Sequence, residues 1–243
     1  MAEVRVAVAA FVRTPGHSPG KTRLAAGIGT EGAAEFYRLA LAITASVLER
    51  AGELGLAPYW AVAEAEGMDD ARWQTLPRLW QGEGNLGARQ DRVYRHLLKS
   101  HPAALLIGAD CPLLNAADLL QARGSLSRGP SFVLGPATDG GYDLFGGRIP
   151  VPSALWNGVE YSSPGTAGQL LAALRPLGAV ELLPELPDVD TRADLGMILR
   201  HGRADGELVP QQRALIGWMA QLEGRGPGAV GLDASRKVDI LEP

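Results

Sequence analysis

VRVAVAAFVRTPGHSPGKTR, residues 4–23, runs from an apolar stretch straight into a basic loop shaped by glycine and proline. Residues 4–11 are continuous and rich in β-branched side chains, as a central strand of a covered sheet requires. The loop that follows carries three cations, Arg13, Lys21 and Arg23. In an open α/β sheet, ligands bind beyond the carboxyl ends of the strands, which is where this loop falls. Its glycines allow backbone N–H groups to approach phosphate oxygens, and its cations offset charge that would otherwise repel a nucleophile. As a phosphate ligand, Lys21 is expected to be removable with weakened nucleotide binding and a nearly unchanged melting temperature without nucleotide; the plain alternative is a solvated basic turn, for which nucleotide titration would show no difference.

Outward from this segment, short apolar runs alternate with stretches of helical period. Strands are expected at 58–63, 78–80, 103–107, 132–135, 142–146 and 180–183. Thr30 caps an expected helix over 30–54, whose buried stripe includes Phe36, Ile43 and Val47. Further helices are expected near 69–76, over 86–98, from Asn115, over 163–174, over 191–200 and over 211–222. Asn115 with Asp118, and Thr191 with Asp194, have capping-box spacing. Such alternation implies one α/β domain with a mostly parallel sheet covered by helices. Residues 224–243, rich in glycine and charge, read as a loose tail.

Bulk composition excludes several classes. The 243 residues carry 23 basic and 27 acidic side chains, a formal charge of −4, so no nucleic-acid or anionic-membrane surface is expected. Cys111 is the only cysteine, which rules out an internal disulfide and a cysteine zinc site. His17, His96, His101 and His201 show no metal-ligand spacing. The N-terminal run lacks a basic lead or a cleavage-like site, and no apolar run nears the roughly 20 residues of a membrane helix. A cytoplasmic protein without a membrane span is expected; oligomeric state is not readable.

Gly16-His-Ser-Pro-Gly20-Lys21-Thr22 is nearly a phosphate-binding P-loop, but one residue short between its glycines. A P-loop also needs a helix beginning at its Lys-Thr pair. Gly27 and Gly29 are expected to interrupt such a helix, which makes a P-loop phosphotransferase the lesser reading.

Carboxylates supply the other half of the chemistry. Asp110 ends a buried strand within Gly-Ala-Asp-Cys-Pro, suited to holding Mg²⁺ or Mn²⁺ against a diphosphate. Asp188 and Asp190 point the same way if their segment is extended, and can share one metal. In Asp139-Gly140-Gly141-Tyr142, Asp139 can accept from a substrate hydroxyl or act as a base. Gly140 and Gly141 permit close approach there, and Tyr142 can pack on a sugar or base. The same four residues also suit an ordinary hairpin turn. Asn85, Gly87 and Arg89 open a helix whose free N–H groups can face an anion.

Lys21-Thr-Arg-Leu24, Gly84-Asn-Leu-Gly87 with Arg89, Gly108-Ala-Asp-Cys-Pro112, Asp139-Gly-Gly-Tyr142 and Asp188-Val-Asp-Thr191 occur here in one order. That order resembles a bacterial family of glycosyltransferases of the GT-A, or nucleotide-diphospho-sugar transferase, superfamily. The resemblance runs from residue 4 to about residue 199. It implies a GT-A three-layer α/β/α sandwich over 1–203, with a C-terminal helix and tail over 204–243. It implies a nucleotide donor (an NDP-sugar), a small-molecule acceptor and Mg²⁺ or Mn²⁺. Lys21 and Arg23 would then meet donor phosphates, Asp110 the metal, and Asp139 to Tyr142 the acceptor. The family usually has lysine at the place of Arg13 and Trp-Ser at Tyr161-Ser162. More distantly, the phospho-lactate guanylyltransferases share the Lys-Thr-Arg-Leu loop, the Asp-x-Pro strand end and the Asp-Val-Asp-Thr segment, but not the Asp-Gly-Gly-Tyr turn. A cation-rich loop suits an NTP, so nucleotidyl transfer to a small phosphorylated acceptor stands as the alternative to glycosyl transfer. A catalytically inactive nucleotide-binding module is a further one.

Overall fold

The computed structural model describes residues 5–17, 21–201 and 208–224. The first strand, β1 (Ala7–Val12), is buried along nearly its whole length. Small and β-branched side chains let layers pack on both of its faces. Val8, Ala10 and Val12 enter one core cluster, and Ala7 and Ala9 the other. β1 pairs in parallel with β2 (Ala57–Val62) on one side and β4 (Ala104–Gly108) on the other. The short edge strand β3 (Arg78–Trp80) lies beyond β2. β5 (Phe132–Pro136) and β6 (Tyr142–Gly147) form the expected hairpin, and β7 (Val180–Leu182) runs parallel to β5.

The seven strands lie in the order β3-β2-β1-β4-β6-β5-β7, and only β6 is antiparallel to its neighbours, β4 and β5. Its first residues therefore sit beside the carboxyl ends of β4 and β5. Helices α1 (Thr22–Glu53), α3 (Ala116–Arg128), α6 (Arg192–His201) and α7 (Pro210–Gly224) cover one face. On the other lie α2 (Leu86–Leu97), α4 (Ser153–Gly158) and α5 (Thr166–Leu174). The result is a three-layer α/β/α sandwich of the GT-A kind.

Several boundaries differ from expectation for identifiable reasons. α1 begins at Thr22, eight residues before the expected cap at Thr30. Gly27 stays helical because it is a packing site: a Cβ there would stand 2.9 Å from Arg192 Cβ. Gly29 does break the helix, at φ 82° and ψ 160°, so the expected start at Thr30 is where the helix resumes. α5 starts at Thr166 rather than at Ser163-Pro164, and the Ser163 N–H bonds the Thr166 hydroxyl at 3.2 Å. α4, a single short turn that buries Trp156, was not anticipated. The Asn115–Asp118 capping box is present with both reciprocal bonds. Val4, residues 18–20 of the basic loop and residues 225–243 of the expected tail lie outside the described residues.

α7 packs Leu215 and Met219 into the same cluster as α1. Its buried Gln212 donates to the Pro112 carbonyl at 3.0 Å and to Leu114 at 3.4 Å. The loop that carries Asp110 is thereby braced from beneath.

Candidate active site

A cleft of about 670 Å³ opens at the carboxyl ends of β1 and β4 and the start of β6. Arg13, Lys21, Arg23, Asn85 and Arg89 line it from one side. Asp110, Asp139, Gly141, Tyr142, Asp188 and Asp190 line it from the other. Residues up to 169 positions apart in sequence are thus brought into contact.

Lys21 is the hinge of the arrangement. As the residue before α1 it adopts a left-handed conformation, φ 47° and ψ 47°, which sends its side chain across the sheet's open end. Its ammonium, only 8% exposed, donates to Asp110 Oδ2 and Asp190 Oδ1, each at 2.9 Å. A third bond runs to the Val189 carbonyl at 2.5 Å. Burial pulls the Lys21 pKa down, but Asp110 and Asp190 outweigh it and leave the pKa above its usual value. Lys21 is therefore a buried counter-ion, and the expectation that it can be removed at no cost to stability does not survive. Arg23 also pairs with Asp190.

Asp188 and Asp190 flank Val189, which is fully buried in the core. Both carboxylates line the cleft while the valine enters the core, the alternation expected of the segment. Asp194 holds this segment: its Oδ2 accepts from the Asp190 N–H at 3.0 Å, the Thr191 N–H at 2.7 Å and the Thr191 hydroxyl at 2.9 Å. Asp139 completes a trio with the pair, each of the three offering an oxygen within 4.8 Å of the others. Burial, then Asp139, Asp190 and Asp110, push the Asp188 carboxyl up to about 7, against the pull of Lys21.

Asp139 Oδ1 accepts from the Gly141 N–H at 2.7 Å, which closes the turn and fixes the carboxylate. Beside it the Tyr142 hydroxyl donates to Gln90 Oε1 at 2.6 Å, tying β6 to α2. Arg89 Nε donates to the Gly84 carbonyl at 3.0 Å, which sets the guanidinium at the rim. Asn85 caps α2 by accepting from the Ala88 N–H at 2.9 Å.

Two glycines do not line the cleft. A Cβ at Gly87 would collide with the Trp156 carbonyl, so this glycine lets α2 sit close against α4. Gly140, at φ 86°, is pressed against the Pro164 carbonyl and serves the turn. The sequence points to close ligand approach at Gly140 and to an anion-facing helix start at Gly87; in the structure both glycines serve close packing of backbone.

Sequence reasoning passed over Asp143. It follows Tyr142 on β6, is 7% exposed, and borders the cleft next to Asp110 and Asp188. Burial, then these two carboxylates, hold its carboxyl well above the usual range. The available signal was a charge inside an apolar strand, Tyr-Asp-Leu-Phe. Gln90 and Tyr161 also line the cleft and were not singled out as donors or acceptors.

Residues 44–163, just under half of the chain, match the family model DUF2064, described as an uncharacterized protein conserved in bacteria. The DUF2064 segment contains Asn85, Arg89, Asp110 and the Asp139–Tyr142 turn; Lys21, Asp188 and Asp190 lie on either side of it. Among solved structures, the chain is similar to a candidate nucleotide-diphospho-sugar transferase from Desulfovibrio desulfuricans G20. The TM-score is 0.77 at 23% identity, over 90% of this chain and 97% of that one. A 4-diphosphocytidyl-2C-methyl-D-erythritol synthase from Anaerococcus prevotii DSM 20548 is similar at TM-score 0.51 and 11% identity, over 78% of this chain and 94% of that one. At these identities the likeness is one of fold. No curated protein matches the chain. Among the described residues, no helix is long and apolar enough to cross a membrane.

Proposed function

We propose that this protein is a divalent-metal-dependent transferase that takes a nucleotide donor, an NDP-sugar in the favoured reading, and a small hydroxylated acceptor. The observation that carries this reading is the trio Asp139, Asp188 and Asp190 facing Arg13 and Arg23 across one cleft. Three carboxylate oxygens suit a hard cation such as Mg²⁺ or Mn²⁺. When bound, such a cation supplies Lewis-acid stabilisation of charge on the leaving phosphate.

The chain's own groups do the rest. Arg13 and Arg23 meet the donor phosphates, and Arg89 holds an anionic or hydroxyl group at the opposite rim. Lys21 fixes Asp110 and Asp190, its three N–H groups taken by these two carboxylates and the Val189 carbonyl. Tyr142, held by Gln90, walls the acceptor side, where an acceptor hydroxyl attacks the anomeric carbon as that carbon's bond to the diphosphate oxygen breaks, the hydroxyl proton passing to the departing nucleoside diphosphate. Asp139 is better suited to the metal than to the role of base, because Asp188 and Asp190 share its corner and Gly141 already occupies Oδ1.

Nucleotidyl transfer is the second reading, supported by the cations on the first loop. Lys21 and Arg23 are both engaged by Asp190, however, which weakens the case for a triphosphate built on that charge. A P-loop phosphotransferase gains the helix it needs at Thr22, but the glycine spacing is still one short and β6 enters the sheet antiparallel. A thermal-shift panel of NTPs and NDP-sugars, each with and without Mg²⁺ or Mn²⁺, tests the reading. NDP-sugar stabilisation only with metal is expected. A preference for GTP or CTP over every NDP-sugar moves the assignment to nucleotidyl transfer, and binding without turnover of any donor moves it to an inactive module.

A further inference from the structure

One stretch of the cleft wall, beside the Asp139 turn, is made of uncharged polar side chains: Gln90, Tyr142, Tyr161 and Ser162. Gln90 is 8% exposed, and only its Oε1 is engaged, by the Tyr142 hydroxyl at 2.6 Å. Its Nε2 carries two N–H donors and has no hydrogen-bond partner among the described residues. The bond to Tyr142 restrains the amide plane, so this donor is held in place beside the open cleft. A nearly buried amide donor without a partner is costly until a ligand or water takes it.

The phenols next to it have the opposite surplus. A phenol has one hydrogen, and Tyr142 gives its own to Gln90. Tyr161 gives its hydrogen to the Trp156 carbonyl at 3.1 Å. The two phenols adjoin one another, and burial raises both pKa values, Tyr161 to about 12, so both stay protonated at neutral pH. Their oxygens are therefore left as acceptors. A wall with one free amide donor beside two phenol acceptors matches a group that both accepts and donates, which is a hydroxyl. A phosphate or carboxylate oxygen, acceptor only, would satisfy Nε2 but face the phenol lone pairs unpaired. Charge points the same way: the buried carboxylate of Asp91 lies behind Tyr161 and disfavours a second anion there. Arg89, from the same helix as Gln90, is held at the rim by the Gly84 carbonyl.

We propose that Gln90, with Tyr142 and Tyr161, is a specificity-determining wall that binds a neutral pair of adjacent hydroxyls, as on a sugar or other polyol. One ligand hydroxyl accepts from Gln90 Nε2, and it or its neighbour donates to a phenol oxygen. The inference rests on the transferase reading of this cleft and narrows the acceptor to one that turns hydroxyls, not a phosphate or carboxylate, toward α2.

Nitrogen-15 NMR of the full chain tests it through the Gln90 side-chain amide pair, identified as the pair absent from Gln90→Met. Methyl β-D-glucopyranoside, sulfate, acetate and 1-methyluracil are titrated separately to about 50 mM, enough to detect a millimolar Kd. Each titration is run on the free chain and again with the nucleotide and Mg²⁺ that stabilise it most. The glucoside is expected to move the pair saturably in at least one state, with sulfate, acetate and 1-methyluracil at least about fivefold weaker at this signal. Gln90→Glu keeps an acceptor for Tyr142 but loses the donor, and should bind the glucoside about three- to tenfold more weakly. Tyr161→Phe should weaken it about threefold, and decides the variant test if Gln90→Glu fails to fold. Glucoside affinity unchanged in the folded variants overturns the proposal. So does a pair that the glucoside moves in neither state, or that an anion or 1-methyluracil moves as readily. A chain that no nucleotide stabilises removes the transferase reading instead, and leaves the hydroxyl wall to be judged on the free chain alone.

Discussion

Replacing Lys21 with methionine keeps much of the side-chain volume and removes the charge, so it isolates the electrostatic role. Removing one partner of a fully buried ion pair costs about 3–5 kcal/mol, because the other charge is left uncompensated. Here Asp190 is 20% and Asp110 41% exposed, so cleft water takes up part of that loss. A cost of about 2 kcal/mol is the resulting expectation. For a chain of this length roughly 2–4 °C of melting temperature goes with each kcal/mol, so Lys21→Met should melt roughly 4–8 °C below the parent at pH 7.5. The pH dependence follows from the raised Lys21 pKa. Its contribution is complete below the unfolded lysine value of about 10.4 and is lost as pH rises through the folded value. At the acid end the difference should shrink below about pH 4, where unpaired carboxylates take up protons. Mg²⁺ should stabilise the variant more than the parent, since two carboxylates have lost their internal cation. Differential scanning calorimetry at pH 4, 7.5 and 9, with and without 5–10 mM Mg²⁺ (an order-of-magnitude choice for weak sites), reads all of this. A variant that melts within about 1 °C of the parent at pH 7.5 would show that Lys21 is not the counter-ion described.

Three further outcomes follow from neighbouring residues. Asp143 has a raised folded pKa, so its ionisation favours the unfolded chain as pH climbs above about 4. Asp143→Asn, whose amide can donate to Asp110 or Asp188, should therefore be more stable than the parent by about 1–2 kcal/mol at pH 8 without metal, with the gap closing toward pH 4 in urea titrations. Asp188 must lose its proton to bind a cation, so Mn²⁺ affinity should rise most steeply around pH 7, where its carboxyl titrates. Calorimetric titrations at successive pH values would show it, and a flat profile would remove Asp188 from the metal site. Gly87→Ala should cost about 1–3 kcal/mol by forcing α2 away from Trp156, yet change nucleotide affinity little. A loss of nucleotide binding at unchanged stability would return Gly87 to the ligand-binding role.

The sheet was largely legible because its strands are buried on both faces and so appear as short continuous apolar runs, as at Ala104–Gly108. The carboxylates were legible as a set because each sits where a strand or turn ends. Burial of Lys21 was not, since its partners lie 89 and 169 residues away and lysines are rarely buried unless paired. Gly27 and Gly87 misled in the same way. A glycine chosen for close helix packing looks, in sequence, like one chosen for a break or for a phosphate. Asp143 was hidden by register, because which face of β6 it occupies depends on pairing with β4 and β5, and its charge only gains meaning beside Asp110.

Val189 links two properties that are usually separable. One residue lies wholly in the core, its neighbours on either side face the cleft, and its carbonyl accepts from Lys21. Any change that lets this side chain settle deeper or ride higher must rotate Asp188 and Asp190 together. Selection on core packing and selection on ion affinity therefore act on a single position. A chain evolving toward greater rigidity there would retune its acidic corner whether or not that was favoured.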